Sequence, residues 1–94
     1  MNVRRIVLDV DKARARPAIP EIAAAIEAVP GVQALSITVT EIDMETVGMD
    51  VAVEGEHIEY ERLIKAIETT GAVVHSIDEL SCGDRVIDRP ARVR

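Results

Sequence analysis

The 94-residue sequence contains no phenylalanine, no tryptophan, one tyrosine and one cysteine. The single thiol, Cys82, excludes an intrachain disulfide and a cysteine-built metal site, and it fits a reducing cytoplasm. The missing aromatics exclude an RNA-recognition sheet, whose bases need rings to stack on. They also leave Ile, Val, Leu and Ala to fill the core. Burial per residue is then thin, and self-association is the expected source of more. Long apolar runs are missing too: MNVRRIVLDV is interrupted by Asp9 and is too short for a signal peptide or a membrane span. Net charge is −6, of which the last thirteen residues, CGDRVIDRPARVR, carry +2 and the remainder −8. An acidic body disfavours nucleic-acid backbones and favours cations or basic partners.

What the sequence does have is clear periodicity. Ile6, Leu8 and Val10 alternate with Arg5, Val7 and Asp9, predicting a strand over 3–10. The polar connection DKARARP follows. Ile19, Ile22, Ile26 and Val29 recur at helical spacing until Pro30-Gly31. Leu35, Ile37 and Val39 give a second strand, and Val47, Met49, Val51 and Val53 a third. Tyr60, Leu63, Ile64 and Ile67 form a second helical stripe stopped by Gly71, and 72–80 is the fourth strand. Ala25-Ile26-Glu27 returns as Ala66-Ile67-Glu68, Gly31 as Gly71 and Ser36-Ile37 as Ser76-Ile77. Two βαβ halves of this kind predict an α+β, ferredoxin-like βαββαβ sandwich. Its four-stranded antiparallel sheet has order 4-1-3-2, with two helices on one face. The domain is expected to span residues 1–83, with a basic C-terminal tail over 84–94.

The hairpin TEIDMET carries Glu41, Asp43 and Glu45 at every second position. The topology brings the end of the first strand to the same edge, so Asp9 and Asp11 are expected to join them at one acidic rim. Such a rim repels itself unless a cation or the nearby Arg14 and Arg16 neutralise it. Calcium suits the donors, since it takes oxygen ligands at irregular geometry. The plain alternative is a solvated hairpin tip, with Asp43 opening a type I turn. Matching Ile77 to Ile37 places His75 at a core-facing position. Ser76 and Asp78 then lie on the open face with Val74 and Leu80, so Ser76 and His75 cannot pair for nucleophilic catalysis. His57 lies at the opposite edge. The open face, half apolar and half charged, suits packing against another subunit, as do the edge strands.

The segments VLDV, ITVTEIDMET, VEGEHIEYE and GAVVHSIDE resemble the archaeal domain of unknown function 211 family over about residues 3 to 83. The resemblance implies a ferredoxin-like fold, homo-oligomeric rings and an association with calcium, and it implies no activity. Carried over by position, Asp9, Glu41, Asp43, His75, Ser76, Asp78 and Glu79 are the family-typical polar residues. Two departures stand out: Asp11, where an apolar residue is expected, and an Arg-rich end that looks longer than the family's. The first expectation is therefore a cytoplasmic, non-enzymatic, ring-forming protein with calcium at Asp9, Asp11, Glu41, Asp43 and Glu45. A regulatory module holding a small molecule between subunits is the second. An enzyme is the third, and no glycine-rich phosphate cradle or converging catalytic set supports it.

Overall fold

The structure, a computed structural model, describes residues 1–88. The basic tail expected over 84–94 lies, from Arg89 onward, outside the described residues. The chain runs β1 (Val3–Ala13), α1 (Ile19–Glu27), β2 (Val32–Ile42), β3 (Thr46–Gly55), α2 (Tyr60–Thr69) and β4 (Val73–Cys82). The strands form one sheet in the order β2-β3-β1-β4, each neighbouring pair antiparallel. This is the ferredoxin-like arrangement that the alternating and helical patterns predict.

Alternation decides which face of the sheet is buried. Ile6, Leu8 and Val10 of β1 and Met49, Val51 and Val53 of β3 are fully buried on one side. Ile22 and Ile26 of α1 and Leu63 and Ile67 of α2 close over them. α1 covers the β2 side and α2 leans toward β4. Fully burying each such side chain contributes roughly 1.5–3 kcal/mol, so this aliphatic layer is the main favourable term.

β1 is three residues longer than the sequence pattern indicates, because Lys12 continues the buried side. Its stem packs inward while Nζ donates to the carbonyls of Ala13 and Arg14, each at 3.1 Å. Pairing with β3 therefore persists to Ala13 opposite Thr46, and Arg14 N–H donates to Glu45 O at 3.0 Å.

The two repeated glycines both end helical units at positive φ, +93° at Gly31 and +104° at Gly71. At Gly31 a Cβ would also lie 2.5 Å from Glu56 O. Gly31→Ala is expected to cost about 2 kcal/mol or more, combining left-handed strain of roughly 1–2 kcal/mol with that clash. Thermal denaturation checks this, with Gly48→Ala, whose φ is not positive, as the tolerated control.

Candidate functional site

Asp9, set opposite the core residues by alternation, and Asp11, included because β1 runs on to Ala13, both lie within the open face of the sheet and not at a rim. Asp9 stands directly opposite Asp50 of β3, and Asp50 in turn faces Thr38 of β2. One step further along, Asp11 faces Gly48, and Gly48 faces Glu41. Asp43 and Glu45 lie beyond, in the exposed turn between β2 and β3, where Asp43 N–H donates to Thr46 O at 2.9 Å. The five expected carboxylates thus divide into Asp9, Asp11 and Glu41 on the face and Asp43 and Glu45 at the tip. Asp50 is the acid that the rim picture left out. Its place in the alternation of β3, opposite Asp9 in an antiparallel pairing, was the signal for it.

Gly48 leaves a gap in this surface. A Cβ built there would sit 3.4 Å from Asp11 Oδ1, 3.5 Å from Thr40 Oγ1 and 3.6 Å from Glu41 Cβ. Thr40 and Glu41 both reach the gap because β2 has an extra residue between Val39 and Glu41 in its pairing with β3. Asp11 Oδ2, on the other side of the carboxylate, is 2.9 Å from His75 Nε2.

That contact overturns the core-facing placement of His75. Val10 pairs with Val74 and Asp9 with Ser76, so His75 is an extra residue in β4 with no partner of its own. The bulge turns its ring to Asp11, and its side chain remains 52% exposed. Asp78 is a second extra residue, between Glu79 opposite Val7 and Ile77 opposite Leu8. The faces of β4 shift accordingly. Val74 packs against the core and Leu80 stands opposite Ile6, where both had been expected on the open face. Ser76 and His75 are consequently not separated by the sheet, yet they engage different partners. Ser76 Oγ donates to Asp78 Oδ1 at 2.7 Å.

Positive charge on the open face comes from Arg5. It bonds Glu54 of β3 and, through Nε at 2.7 Å, Glu79 of β4, tying three strands together. Burial works against the Arg5 charge, but the hydrogen bonds to Glu54 and Glu79 outweigh it and raise its pKa above the ordinary value. A raised pKa contributes stability that is present below the unfolded value and lost only as pH rises past it. The link is therefore charged at any physiological pH. Ion pairs among the described residues involve Arg4, Arg5 and Arg62; the expected neutralisers Arg14 and Arg16 form none there. Also among the described residues, no three His, Cys, Asp or Glu side chains come together closely enough to hold a metal ion. No helix among them is long and apolar enough to cross a membrane.

Fold and surface together define a ferredoxin-like sandwich whose open sheet face is acidic and interrupted at one glycine. The chain belongs to the DUF211 family, described as "Uncharacterized ArCR", whose model matches residues 4–94. The match takes in the Arg-rich end, which the resemblance had placed beyond the family's limit. Among its relatives is the uncharacterised protein MJ0319 of Methanocaldococcus jannaschii. The two are 36% identical over 87 residues, or 93% of this chain and 89% of that protein.

Carboxylates placed directly opposite on neighbouring strands destabilise the pair. Asp50→Asn is therefore expected to stabilise the metal-free protein by about 0.2–1 kcal/mol at low ionic strength, with the gain fading as salt rises. Paired melting curves at low and high salt check both halves of this statement.

Proposed function

We propose that this protein is a non-enzymatic homo-oligomer that holds a divalent cation, calcium, on the acidic side of its sheet with ligands shared between copies. The gap over Gly48 carries this reading. Asp11 Oδ1 and Thr40 Oγ1 border it together with Glu41, and the facing pair Asp9 and Asp50 lies in the adjacent row. Calcium takes about six to eight oxygens. A single chain supplies too few, so the rest come from water and from a neighbour. Asp43 and Glu45, carried on the exposed tip, are the carboxylates a neighbouring copy would contribute. Tip-to-face contact is heterologous, and where its rotation closes it makes a ring. The thiol and the acidic body make the cytoplasm the setting of this proposal.

A second reading, a regulatory module with a small molecule between subunits, has one observation in its favour. A shallow cleft of about 270 Å³ is lined by Asp11, Lys12, Ala13, Thr46, Val73 and His75, among others. Its lining brings Lys12 together with the acid Asp11 and the imidazole-bearing His75 at the end of the sheet.

Calcium that binds only the folded protein raises its stability by about 2.7 kcal/mol at a hundredfold excess over Kd. Metal-stripped protein is expected to melt at a higher temperature in calcium. Gly48→Ala, which fills the gap with a methyl group, should fold normally and show no such rise. If millimolar calcium leaves both melting temperature and assembly unchanged, the cation reading is wrong.

A further inference from the structure

The two edges of the sheet are defended differently. β4 carries His75, Asp78 and Glu79, and its two extra residues break the pairing register with β1. Charge and bulges both discourage a further strand from adding. β2, the opposite edge, has neither over its middle. Residues Gln33 to Thr40, QALSITVT, contain no charge and no proline over eight positions, in a chain that is 30% charged. From Ala34 to Val39 the pairing with β3 is unbroken. The other side of β2 has no strand beside it among the described residues. Apolar side chains run along the same edge: Leu35 and Ile37 are only partly buried, and Val39 is 40% exposed.

We propose that a second copy of this chain docks on the β2 edge, antiparallel, about a two-fold axis at Ile37, and continues the sheet to eight strands. Ile37 is the midpoint of Val32–Ile42, so this register overlaps the whole strand. Leu35 of one copy then meets Val39 of the other on the helix side, and Ser36 meets Thr38 on the open side. Toward the ends Ala34 meets Thr40, Gln33 meets Glu41 and Val32 meets Ile42. Each apolar residue faces an apolar one or a neutral small residue, and no carboxylate faces a carboxylate. Two molecules of net negative charge can therefore pair along this line. A slip of one residue would set helix-side chains against open-side chains. Moving the axis to Thr38 would put Leu35 opposite Glu41. Moving it to Ser36 would leave Glu41 and Ile42 without partners in the strand. Self-complementarity selects Ile37.

The pairing rests on the reading of this protein as a self-associating one and adds a second kind of contact to it. An isologous joint links two copies and stops. It joins one ring to another, or forms a dimer where no ring exists.

The test is the double variant Ser36→Lys/Thr38→Lys, studied by light scattering and hydrogen exchange. Both positions are exposed, and Thr38 lies opposite Asp50, so its new ammonium group gains a carboxylate in its own chain. Across the two-fold axis the introduced charges face one another. The expected result is a folded protein with a cooperative melting transition, an assembly mass reduced by half, and loss of exchange protection at alternate amides of Ala34–Val39. An unchanged mass overturns the pairing, and so does an odd number of copies in the parent assembly. Unprotected Ala34–Val39 amides in the assembled parent overturn it as well. A parent that is monomeric at every concentration also defeats the self-association reading. An assembled parent whose mass the variant does not alter defeats the β2 pairing alone.

Discussion

The structure depends on a sheet that is covered on one face only. Two helices of nine and ten residues close over Ile6, Leu8, Val10, Met49, Val51 and Val53, and that aliphatic layer is the core. With no aromatic side chain larger than one tyrosine, each residue buried contributes modestly, and the chain is small. Alternation then dictates everything on the other side. Each core residue of β1 commits its neighbours, Arg5, Asp9 and Asp11, to the uncovered face. That face is where charge has to be managed.

How it is managed differs along the strands. At one end Arg5 links Glu54 and Glu79, so charge there is partly offset across β3, β1 and β4. Toward the other end Asp9 faces Asp50, and Asp11 shares its carboxylate with His75 on one side and the Gly48 gap on the other. A glycine between two acids is poor strand chemistry, because it weakens the strand and packs nothing. It is good site chemistry, because it leaves room beside oxygen donors. The proposed cation, the shared ligands and the oligomer all derive from this contrast between an end bridged by Arg5 and an open one.

The element order and most of the core were legible in the sequence because they follow from period, and the strand order because two repeated βαβ halves imply it. Ile22, Ile26, Leu63 and Ile67 sit where helical spacing puts them, and the echo of Gly31 in Gly71 is repeated in their backbone conformations. Period fails where pairing is irregular. The side of His75 depends on an extra residue between Ser76 and Val74, which is a relation between two strands and leaves no mark in either one. The length of β1 was hidden by Lys12, a charged residue read as loop, whose stem is apolar enough to continue the core. Extending β1 moved Asp11 from the connection onto the open face, where alternation already puts Asp9 and Asp50. The carboxylates were therefore legible in composition, and their division between face and tip was not.

In the proposed assembly, copies of this chain complete one another's acidic face around calcium. Native mass spectrometry of metal-stripped protein, with and without added calcium, tests it most directly. The expected result is a homo-oligomer that takes up calcium in stoichiometric steps, one for each Gly48 gap, and that loses this uptake in Gly48→Ala. A monomer in both conditions, or an oligomer that binds no calcium, would contradict it.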